Sequence, residues 1–236
     1  MFFSRLFLTR PNLSGWLVGA AFAAALGCLS PDLAQADSAP MQFHVEPLQS
    51  GDCGYNCPNV VVADGVIEPE TPQEFVDFAQ QVAHSPNLRA VMLINSPGGN
   101  VVASMEFGAK LRQLGMAAIV ASYGYDGRRA GATPGECVSA CVYALMGAVR
   151  RVAPAQSRVA LHRMSVSMAQ APTRGHVGSV TRRFADSRLV DIVARYARQM
   201  GVSPDVVIQA ESLAPDHIRA LSAREMRRWR LASAKL

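Results

Sequence analysis

The stretch LINSPGGN, Leu93 to Asn100, decides how the rest of the sequence is interpreted. It ends an apolar run that begins at Arg89, and such a run predicts a strand buried on both faces of a parallel sheet. Pro97-Gly98-Gly99 then predicts a sharp turn, because glycine adopts positive φ and lets another group approach the backbone closely. A helix is predicted over 101–114, with Gly115 as its end signal. Backbone N–H groups at this strand-to-helix turn can face a developing negative charge.

Strand and helix signals alternate around this stretch. A strand is predicted over 59–67 and a helix from Thr71, where Pro72 suits the first turn and Glu74 can complete a capping box. The next buried strand is predicted over 116–121. The order strand, helix, strand, helix, strand predicts an α/β fold with a mostly parallel sheet and right-handed crossovers.

The second half of the chain contains two segments without a clear periodic pattern. Residues 122–136 are predicted to be a long loop, and residues 165–180 a second mobile segment, because both contain glycine and proline. The other predicted elements are a small-residue helix at 137–148, strands at 151–154 and 158–163, and helices at 184–200, after Ser203 and after Ser222.

The composition describes a globular chain with no predicted nucleic-acid partner. It has 236 residues, 50% of them hydrophobic, enough for one sizeable core or two small ones. The formal charge is +5, and its basic cluster lacks the interleaved aromatic side chains of a nucleic-acid surface. The cluster consists of Arg224, Arg227, Arg228, Arg230 and Lys235. No Gly-Lys-Ser/Thr follows the glycine turn, so it is not a phosphate-binding loop, and no cofactor is predicted.

A secretory signal is predicted at the N-terminus from three features in order. Arg5 and Arg10 precede an apolar run at 16–29, and the small-x-small sequence Ala34-Gln35-Ala36 follows it. The run is shorter than the ~20 residues of a membrane span. We therefore expect cleavage after Ala36 and export to the periplasm or another extracytoplasmic space; the alternative is an uncleaved segment that anchors the protein to the membrane. The predicted organisation is a signal peptide at 1–36, an irregular lead-in at 37–58 and an α/β domain at 59–236.

Four cysteines remain once the signal is removed, namely Cys53, Cys57, Cys137 and Cys141. An even number of cysteines in an exported protein favours disulfides. Local pairing, Cys53–Cys57 and Cys137–Cys141, is the simplest of three connectivities. A zinc site made of four thiolates is the alternative, although no histidine lies at ligand spacing beside them. We expect disulfides and no metal.

Two polar residues are candidates for acyl-transfer chemistry. Ser139 lies near the start of the predicted small-residue helix, where it is a candidate nucleophile or an ordinary helix cap. A second alternative makes Cys137 or Cys141 the nucleophile. His162 ends an apolar strand, where the active-site groups of open α/β sheets gather; the alternative is a histidine buried in the core.

Three motifs in this order resemble the Clp protease proteolytic subunit family, ClpP. They are Ile94 to Gly99, a serine at the head of a small-residue helix, and QSRVALH at 156–162. The resemblance covers about Val60 to Arg163 and implies a repeated β-β-α superhelix, as in the ClpP/crotonase group, with serine peptidase chemistry. It implies that Ser139 is the nucleophile and His162 the general base. It also implies an oxyanion hole formed by the N–H groups of Gly98 or Gly99 and of Ala140.

The acid of the implied triad is less well defined. Glu211 lies where the family has an acidic residue, and Asp216, Asp191 and Asp205 are the alternatives. Two features depart from the family: the cysteines that flank Ser139, and the secretory signal. Because the relatives with ATPase partners work in the cytoplasm, no such partner is expected here, and a homo-oligomer remains open.

The sequence thus predicts an exported serine hydrolase that cleaves peptides or proteins through an acyl-enzyme, without metal or cofactor. The alternative from another class is a catalytically inactive relative that binds peptides or partners through the same groove. Acyl-CoA chemistry on a crotonase-like fold is disfavoured, because export removes the protein from CoA pools.

Overall fold

The computed structural model describes residues 39–48, 53, 56–126, 129–170 and 179–235. The predicted signal peptide at 1–36 lies outside this part of the chain and stays a prediction. The strands are β1 (Gln42–Pro47), β2 (Asn59–Asp64), β3 (Leu88–Asn95), β4 (Ala117–Asp126), β5 (Arg129–Pro134), β6 (Glu136–Val138), β7 (Arg150–Val152), β8 (Arg158–Leu161), β9 (Ser165–Gln170), β10 (Ser179–Phe184) and β11 (Arg219–Ala220). The helices are α1 (Thr71–Val82), α2 (Val101–Gln113), α3 (Cys141–Gly147), α4 (Ser187–Gln199), α5 (Asp205–Glu211) and α6 (Ala223–Arg228). None of the helices in these ranges is long and apolar enough to span a bilayer.

The main sheet has the strand order β1-β2-β3-β4-β5, and β7 also pairs with β4. The pairs β2–β3, β3–β4 and β4–β7 are parallel, whereas β1 and β5 add antiparallel edges. Met92, Leu93 and Ile94 in β3 are fully buried, as the continuous apolar run predicted. The mixed α/β fold with a mostly parallel sheet is therefore confirmed.

Helices α1 and α2 cover the sheet through an aromatic cluster. The rings of Phe75 and Phe107 lie 5.1 Å apart and meet edge to face, and Phe43 from β1 lies 5.5 Å from Phe75. Asn100, the last residue of the opening stretch, caps α2 by accepting a 3.0 Å hydrogen bond from the N–H of Ala103. The glycine turn is therefore followed at once by a capped helix.

A glycine pair fixes α3 against α2. An ideal Cβ built on Gly147 would lie 2.0 Å from the carbonyl oxygen of Gly108, so the two helix backbones are in direct contact. The hydroxyl of Tyr196 in α4 donates a 3.0 Å hydrogen bond to the carbonyl of Tyr143 in α3. Helix α3 is thus held on two sides, which matters because it follows Ser139.

A smaller, three-stranded sheet has the order β11-β8-β6. β6 and β8 are parallel, and β11 pairs antiparallel with β8. An isolated parallel bridge between Ser96 and Cys137 links the end of β3 to β6. The two sheets are therefore joined at the LINSPGGN turn.

Three segments differ from the predictions. The loop predicted over 122–136 contains the antiparallel pair β4–β5, and the mobile segment predicted over 165–180 contributes to the antiparallel pair β9–β10. The lead-in predicted to be irregular contains β1, which pairs with β2. In all three segments, glycine, proline and polar residues interrupt the apolar pattern, while pairing with an adjacent strand satisfies the backbone groups.

Candidate active site

The ends of three neighbouring parallel strands meet at one place. The N–H of Ser96 donates to the carbonyl of Glu136 (2.8 Å), and the N–H of Val138 donates back to the carbonyl of Ser96 (3.0 Å). On the other side of β6, Val138 is in register with Ala160 of β8. Neighbouring strands lie ~4.8 Å apart. The Gly98-Gly99 turn, Ser139 and His162 therefore follow directly on adjacent strand ends.

Ser139 occupies a left-handed turn between β6 and α3. Its φ is 59°, a region that costs a non-glycine residue about 1 kcal/mol and is enriched at functional sites. Its N–H donates to the carbonyl of Ala160 (2.9 Å), and its carbonyl accepts from the N–H of Val142 (3.1 Å). This strand–serine–helix turn has the backbone layout of a nucleophile elbow, without the flanking glycines of that motif.

The helix predicted to start at Cys137 therefore starts later, at Cys141. Cys137 is a strand residue, and Ser139 cannot continue a right-handed helix at positive φ. A local sequence pattern does not reveal this φ, because the pairing of β6 with β8 imposes it. The Ser139 hydroxyl makes no hydrogen bond with any residue in the described ranges.

Gly98 lies against the nucleophile turn. An ideal Cβ on Gly98 would be 2.8 Å from the Cβ of Ser139 and 3.1 Å from the nitrogen of Ala140, and the φ of Gly98 is 111°. The N–H of Gly98 already donates to the hydroxyl of Ser96 at 3.1 Å. Gly98 thus provides close approach, while its N–H is engaged by a fully buried serine that sequence reasoning did not single out.

Gly99 and Ala140 have N–H groups that donate to no partner within the described ranges. Gly99 has a φ of 139°, and a Cβ there would collide with the carbonyl oxygen of Ile67 at 2.1 Å. Gly99 also borders a groove of about 350 Å³. Apolar lining residues of this groove are Val101, Val102, Met164, Val166, Phe184 and Leu189.

His162 follows β8 and is half-buried. Its Nδ1 lies 2.7 Å from the carbonyl oxygen of Arg163. Because a carbonyl only accepts, Nδ1 is the donor in this contact, and in the neutral ring Nε2 is then the nitrogen with the lone pair, the form that a general base requires. His162 lines a second cavity of about 260 Å³ together with Ser165, Arg182 and Asp216. It forms no hydrogen bond with Ser139; in substrate-free enzymes catalytic hydrogen bonds are often long.

Glu211 is the last residue of α5 and contacts the segment that follows His162. Its Oε1 accepts a 3.0 Å hydrogen bond from the N–H of Met164, and its Oε2 lies 3.7 Å from Nε of Arg163. The side chain is 15% exposed. Burial raises the pKa of Tyr143 in α3, and the Glu211 carboxylate raises it further. The structure thus does not bring Glu211 into hydrogen-bond contact with His162.

The three alternative acids are all exposed. Asp216 has a side chain 85% exposed and pairs with Arg182 across the cavity that His162 lines. Asp191 lies on α4 and Asp205 begins α5. No acid in the described part of the chain forms a hydrogen bond or ion pair with His162.

Both cysteine pairs form the local disulfides expected from their spacing. The Cα atoms are 4.9 Å apart in Cys53–Cys57 and 5.2 Å apart in Cys137–Cys141. The second bridge spans the Ser139 turn and is fully buried. Cysteines joined in this way are neither thiol nucleophiles nor thiolate ligands for a metal ion.

No protein-family model matches the chain, and no curated protein matches it. Among solved structures it is similar to a serine-to-alanine mutant of the 1510-N membrane-bound stomatin-specific protease, with 12% identity, a TM-score of 0.49 and coverage of 72% of this chain and 76% of that one. A lysine-to-alanine mutant of the same protease in complex with a substrate peptide gives 13% identity, a TM-score of 0.48 and coverage of 75% and 74%. ClpP1 from Listeria monocytogenes gives 15% identity, a TM-score of 0.44 and coverage of 71% and 84%. At these identities and TM-scores the likeness identifies no catalytic residue of this chain.

Proposed function

We propose that the protein is an exported serine peptidase in which Ser139 is the nucleophile and His162 the general base. The observation that carries the proposal is the left-handed turn at Ser139, set between parallel strands and directly against the Gly98-Gly99 turn. A helix cap does not require this turn, since the N-cap position of α3 is Ala140 and no side chain caps it. In support of the proposal, the Ser139 hydroxyl has no hydrogen-bond partner in the described ranges, and the neighbouring residues Gly99 and Ala140 have unengaged N–H groups that could stabilise an oxyanion.

The reaction follows from the protonation state of His162. Nε2 removes the proton from the Ser139 hydroxyl as its oxygen attacks the carbonyl carbon of the substrate. The resulting oxyanion accepts hydrogen bonds from the N–H groups of Gly99 and Ala140. The imidazolium then returns the proton to the leaving amine as the C–N bond breaks, which leaves an acyl-enzyme on Ser139. The same Nε2 then removes a proton from water as the water oxygen attacks the ester carbonyl, and it returns this proton to the Ser139 oxygen as the C–O bond breaks and the acid product leaves.

Of the predicted oxyanion residues, Gly99 and Ala140 are the preferred donors. The N–H of Gly98 is already used by Ser96, so it would have to break that bond before it could serve. Gly98 retains a different role, because any side chain at this position would displace Ser139. We propose that a peptide reaches the nucleophile through the groove that Gly99 borders.

The proposed compartment is extracytoplasmic. Two disulfides between cysteines near in sequence are typical of proteins that mature in an oxidising space. Cleavage after Ala36, or retention of the N-terminal segment as an anchor, remains part of the proposal. No cofactor is invoked for the reaction, and self-association of the chain stays open.

A fluorophosphonate probe tests the assignment, because it reacts covalently with activated serine hydroxyls. We expect the wild-type protein to be labelled and Ser139→Ala to be unlabelled, with labelling of His162→Ala reduced by at least about 1,000-fold. Ser187→Ala is the matched control, since Ser187 is exposed at the start of α4 and outside the site. Equal labelling of Ser139→Ala and wild type would refute Ser139 as the nucleophile.

The second candidate function is an inactive relative that binds peptides in the same groove. The observation in its favour is that His162 forms no hydrogen bond or ion pair with Ser139 or with an acid in the described ranges. If this candidate is correct, the exported wild-type protein stays unlabelled and cleaves no peptide from a library. The peptides that bind it would then bind Ser139→Ala with the same affinity.

A further inference from the structure

We infer that Glu211 is a positioning residue that acts on His162 through a single peptide group, the one between Arg163 and Met164. This inference rests on the proposed function, in which His162 is the base. It differs from the expected triad, where the carboxylate would accept directly from the imidazole. Here the acceptor for Nδ1–H is a backbone carbonyl, and the carboxylate lies on the opposite side of that peptide.

The geometry of the peptide group carries the argument. The carbonyl of Arg163 and the N–H of Met164 belong to the same planar unit, and no cis peptide bond occurs in the described residues. In a trans peptide these two groups point in opposite directions. The carbonyl accepts from Nδ1 of His162 at 2.7 Å, and the N–H donates to Oε1 of Glu211 at 3.0 Å. Carboxylate, peptide and imidazole thus form one continuous hydrogen-bonded chain, which we call the relay.

The relay fixes a segment that no strand ladder holds. Residues 162–164 connect β8 to β9 and belong to neither strand. The carbonyl of Met164 accepts from the N–H of Ala185 (3.1 Å), so Met164 is held on both its backbone groups. The guanidinium of Arg163 lies 4.5 Å above the ring of Phe184 and also faces Oε2 of Glu211. Without Glu211 the peptide plane could rotate and the Arg163 carbonyl would leave Nδ1.

The relay also has an electrostatic consequence. A carboxylate that accepts from one end of a peptide polarises it and makes the carbonyl at the other end a stronger acceptor. When His162 takes the proton of Ser139, the imidazolium keeps a fixed partner at Nδ1, and Nε2 stays directed away from that carbonyl. Glu211 therefore holds the orientation and the tautomer of His162, although one peptide group separates the two side chains.

The decisive comparison is between Glu211→Gln and Glu211→Ala. In a direct triad, replacing the carboxylate by an amide costs about 10,000-fold because it favours the wrong tautomer. In the relay, the amide oxygen of glutamine still accepts from the N–H of Met164. We therefore expect Glu211→Gln to keep fluorophosphonate labelling within about 5-fold of wild type, with a superimposable pH profile. Glu211→Ala leaves a buried N–H unpaired and should label about 10- to 100-fold more slowly.

A third variant separates the relay from an inhibitory role of Arg163. If Arg163 withheld the carboxylate from His162, Arg163→Met would release Glu211 and accelerate labelling. The relay predicts labelling a few-fold slower than wild type, because Glu211 loses its second partner while the peptide group remains. Equal loss in Glu211→Gln and Glu211→Ala, or faster labelling of Arg163→Met, would overturn the inference.

The tautomer of His162 can be measured by NMR without any catalysis, so the inference can be tested even if the proposed function is wrong. In protein labelled with ¹⁵N-histidine, His162 should show a single Nδ1–H tautomer in wild type and in Glu211→Gln, and a tautomer mixture in Glu211→Ala. His162→Gln identifies the signal, and circular dichroism of each variant reports folding. If Ser139→Ala still labels, the proposed function fails while this comparison still decides the relay. An unchanged tautomer in Glu211→Ala would refute the relay.

Discussion

Ser139 departs from ordinary backbone geometry in the same way as Asn87 and Arg230, the other described non-glycine residues with positive φ. Asparagine tolerates this region, but serine does so at a cost. At Ser139 this cost is offset by pairing on both sides of β6: Ser96, which follows β3, forms a bridge with Cys137, and β6 forms a ladder with β8. The residue is therefore held in a turn that its own preference disfavours, as is common for groups that must be presented to a substrate.

Substitution at Gly98 tests whether labelling requires the close contact between the Gly98-Gly99 turn and the Ser139 turn. Gly98→Ala places a methyl 2.8 Å from the Cβ of Ser139 and 2.7 Å from the carbonyl of Val138, at a φ of 111°. We expect fluorophosphonate labelling to fall at least about 100-fold, and the free energy of unfolding to fall by about 2–4 kcal/mol. Urea unfolding and labelling rates, measured on the same preparation, check both.

Gly115→Ala is the matched control for this prediction. Gly115 also has positive φ (65°), but no atom lies within 4 Å of a Cβ built there. The substitution should cost about 1 kcal/mol of stability and leave the labelling rate of the folded protein unchanged. Full labelling of Gly98→Ala would show that the glycine serves the turn alone and not the nucleophile.

The positions of candidate site residues could be predicted from the sequence where the order of the strands alone determines them. Gly98 and His162 follow apolar strands that the sequence predicts, and the ends of parallel strands meet at one edge. Ser139 was instead predicted to lie within a helix, and the short strand β6 before it was not predicted. The partners of these residues were not predictable. That Ser96 occupies the N–H of Gly98, or that Glu211 accepts from Met164, depends on side-chain rotamers fixed by packing between segments distant in sequence.

At the scale of elements, β6, the Ser139 turn and α3 form one unit closed by the Cys137–Cys141 bridge. The direct contact of Gly147 with Gly108 and the bond from Tyr196 to Tyr143 hold the helix end of this unit. The pairing of β6 with β8 holds its strand end. The disulfide joins both ends across the turn, so it restricts the nucleophile more directly than it restricts the rest of the chain.

The two disulfides form an internal comparison, because both join cysteines four residues apart. Loop entropy predicts about 2 kcal/mol of stabilisation from each. Cys137→Ala/Cys141→Ala should therefore lose at least about 2 kcal/mol of unfolding free energy and also label at least about 10-fold more slowly. Cys53→Ala/Cys57→Ala should lose a similar amount of stability and keep the wild-type labelling rate.

Thermal unfolding and labelling at a temperature where both double variants are folded distinguish these effects. Equal labelling rates in the two double variants would mean that the bridge at Ser139 stabilises the fold without shaping the turn. The comparison is informative because loop length, and hence the entropic contribution, is matched.

Elements were predictable where an apolar run or an end signal marked them, as for β3, for α2 before Gly115 and for α6 after Ser222. The capping box predicted at Thr71 does not form, since Glu70 is the N-cap of α1 and no side chain caps it. They were missed where pairing rather than burial creates the strand. Gly124 faces Gly131 in the β4–β5 pair, and β9 pairs with β10 although the intervening sequence is polar. The start of α3 was misplaced because small residues at 137–140 suit a helix locally, while the β8 pairing makes them a strand and a turn.

At the scale of the whole molecule, the C-terminal segment pairs with β8, the strand that directly precedes His162. β11 pairs with β8 at Leu161 and Ala160, and Ser222 begins α6 directly afterwards. Trp229 and Leu231 are buried, and Ser233 bridges to Val152. The C-terminal segment therefore couples the stability of the small sheet to that of the main one.

Glu225, at the junction between β11 and α6, makes the stability of this C-terminal segment dependent on pH. The Ser222 backbone N–H donates to Oε2 of Glu225 at 2.9 Å and the Ser222 hydroxyl donates to the same oxygen at 2.8 Å, while Arg219 of β11 pairs with Oε1. These groups lower the pKa of Glu225 to about 2. Because the folded pKa lies below that of the unfolded chain, the unfolded state takes up the proton first as pH falls. The stabilisation is therefore complete above about pH 4.5 and is lost as pH falls towards 2.

Glu225→Gln should remove this pH-dependent contribution. We expect the variant to be about 1 kcal/mol less stable than wild type at pH 7, a value reduced for solvent screening at a partly exposed pair. The difference should shrink as pH falls from about 5 to about 2.5, because Glu225 of the unfolded wild-type chain takes up a proton there while the folded carboxylate stays charged. Urea unfolding midpoints across this range measure it, with Glu106→Gln on the exposed face of α2 as the matched control. A stability difference that stays constant over the whole range would mean that the glutamine perturbs packing at the β11–α6 junction and that the charge of Glu225 does not support the small sheet.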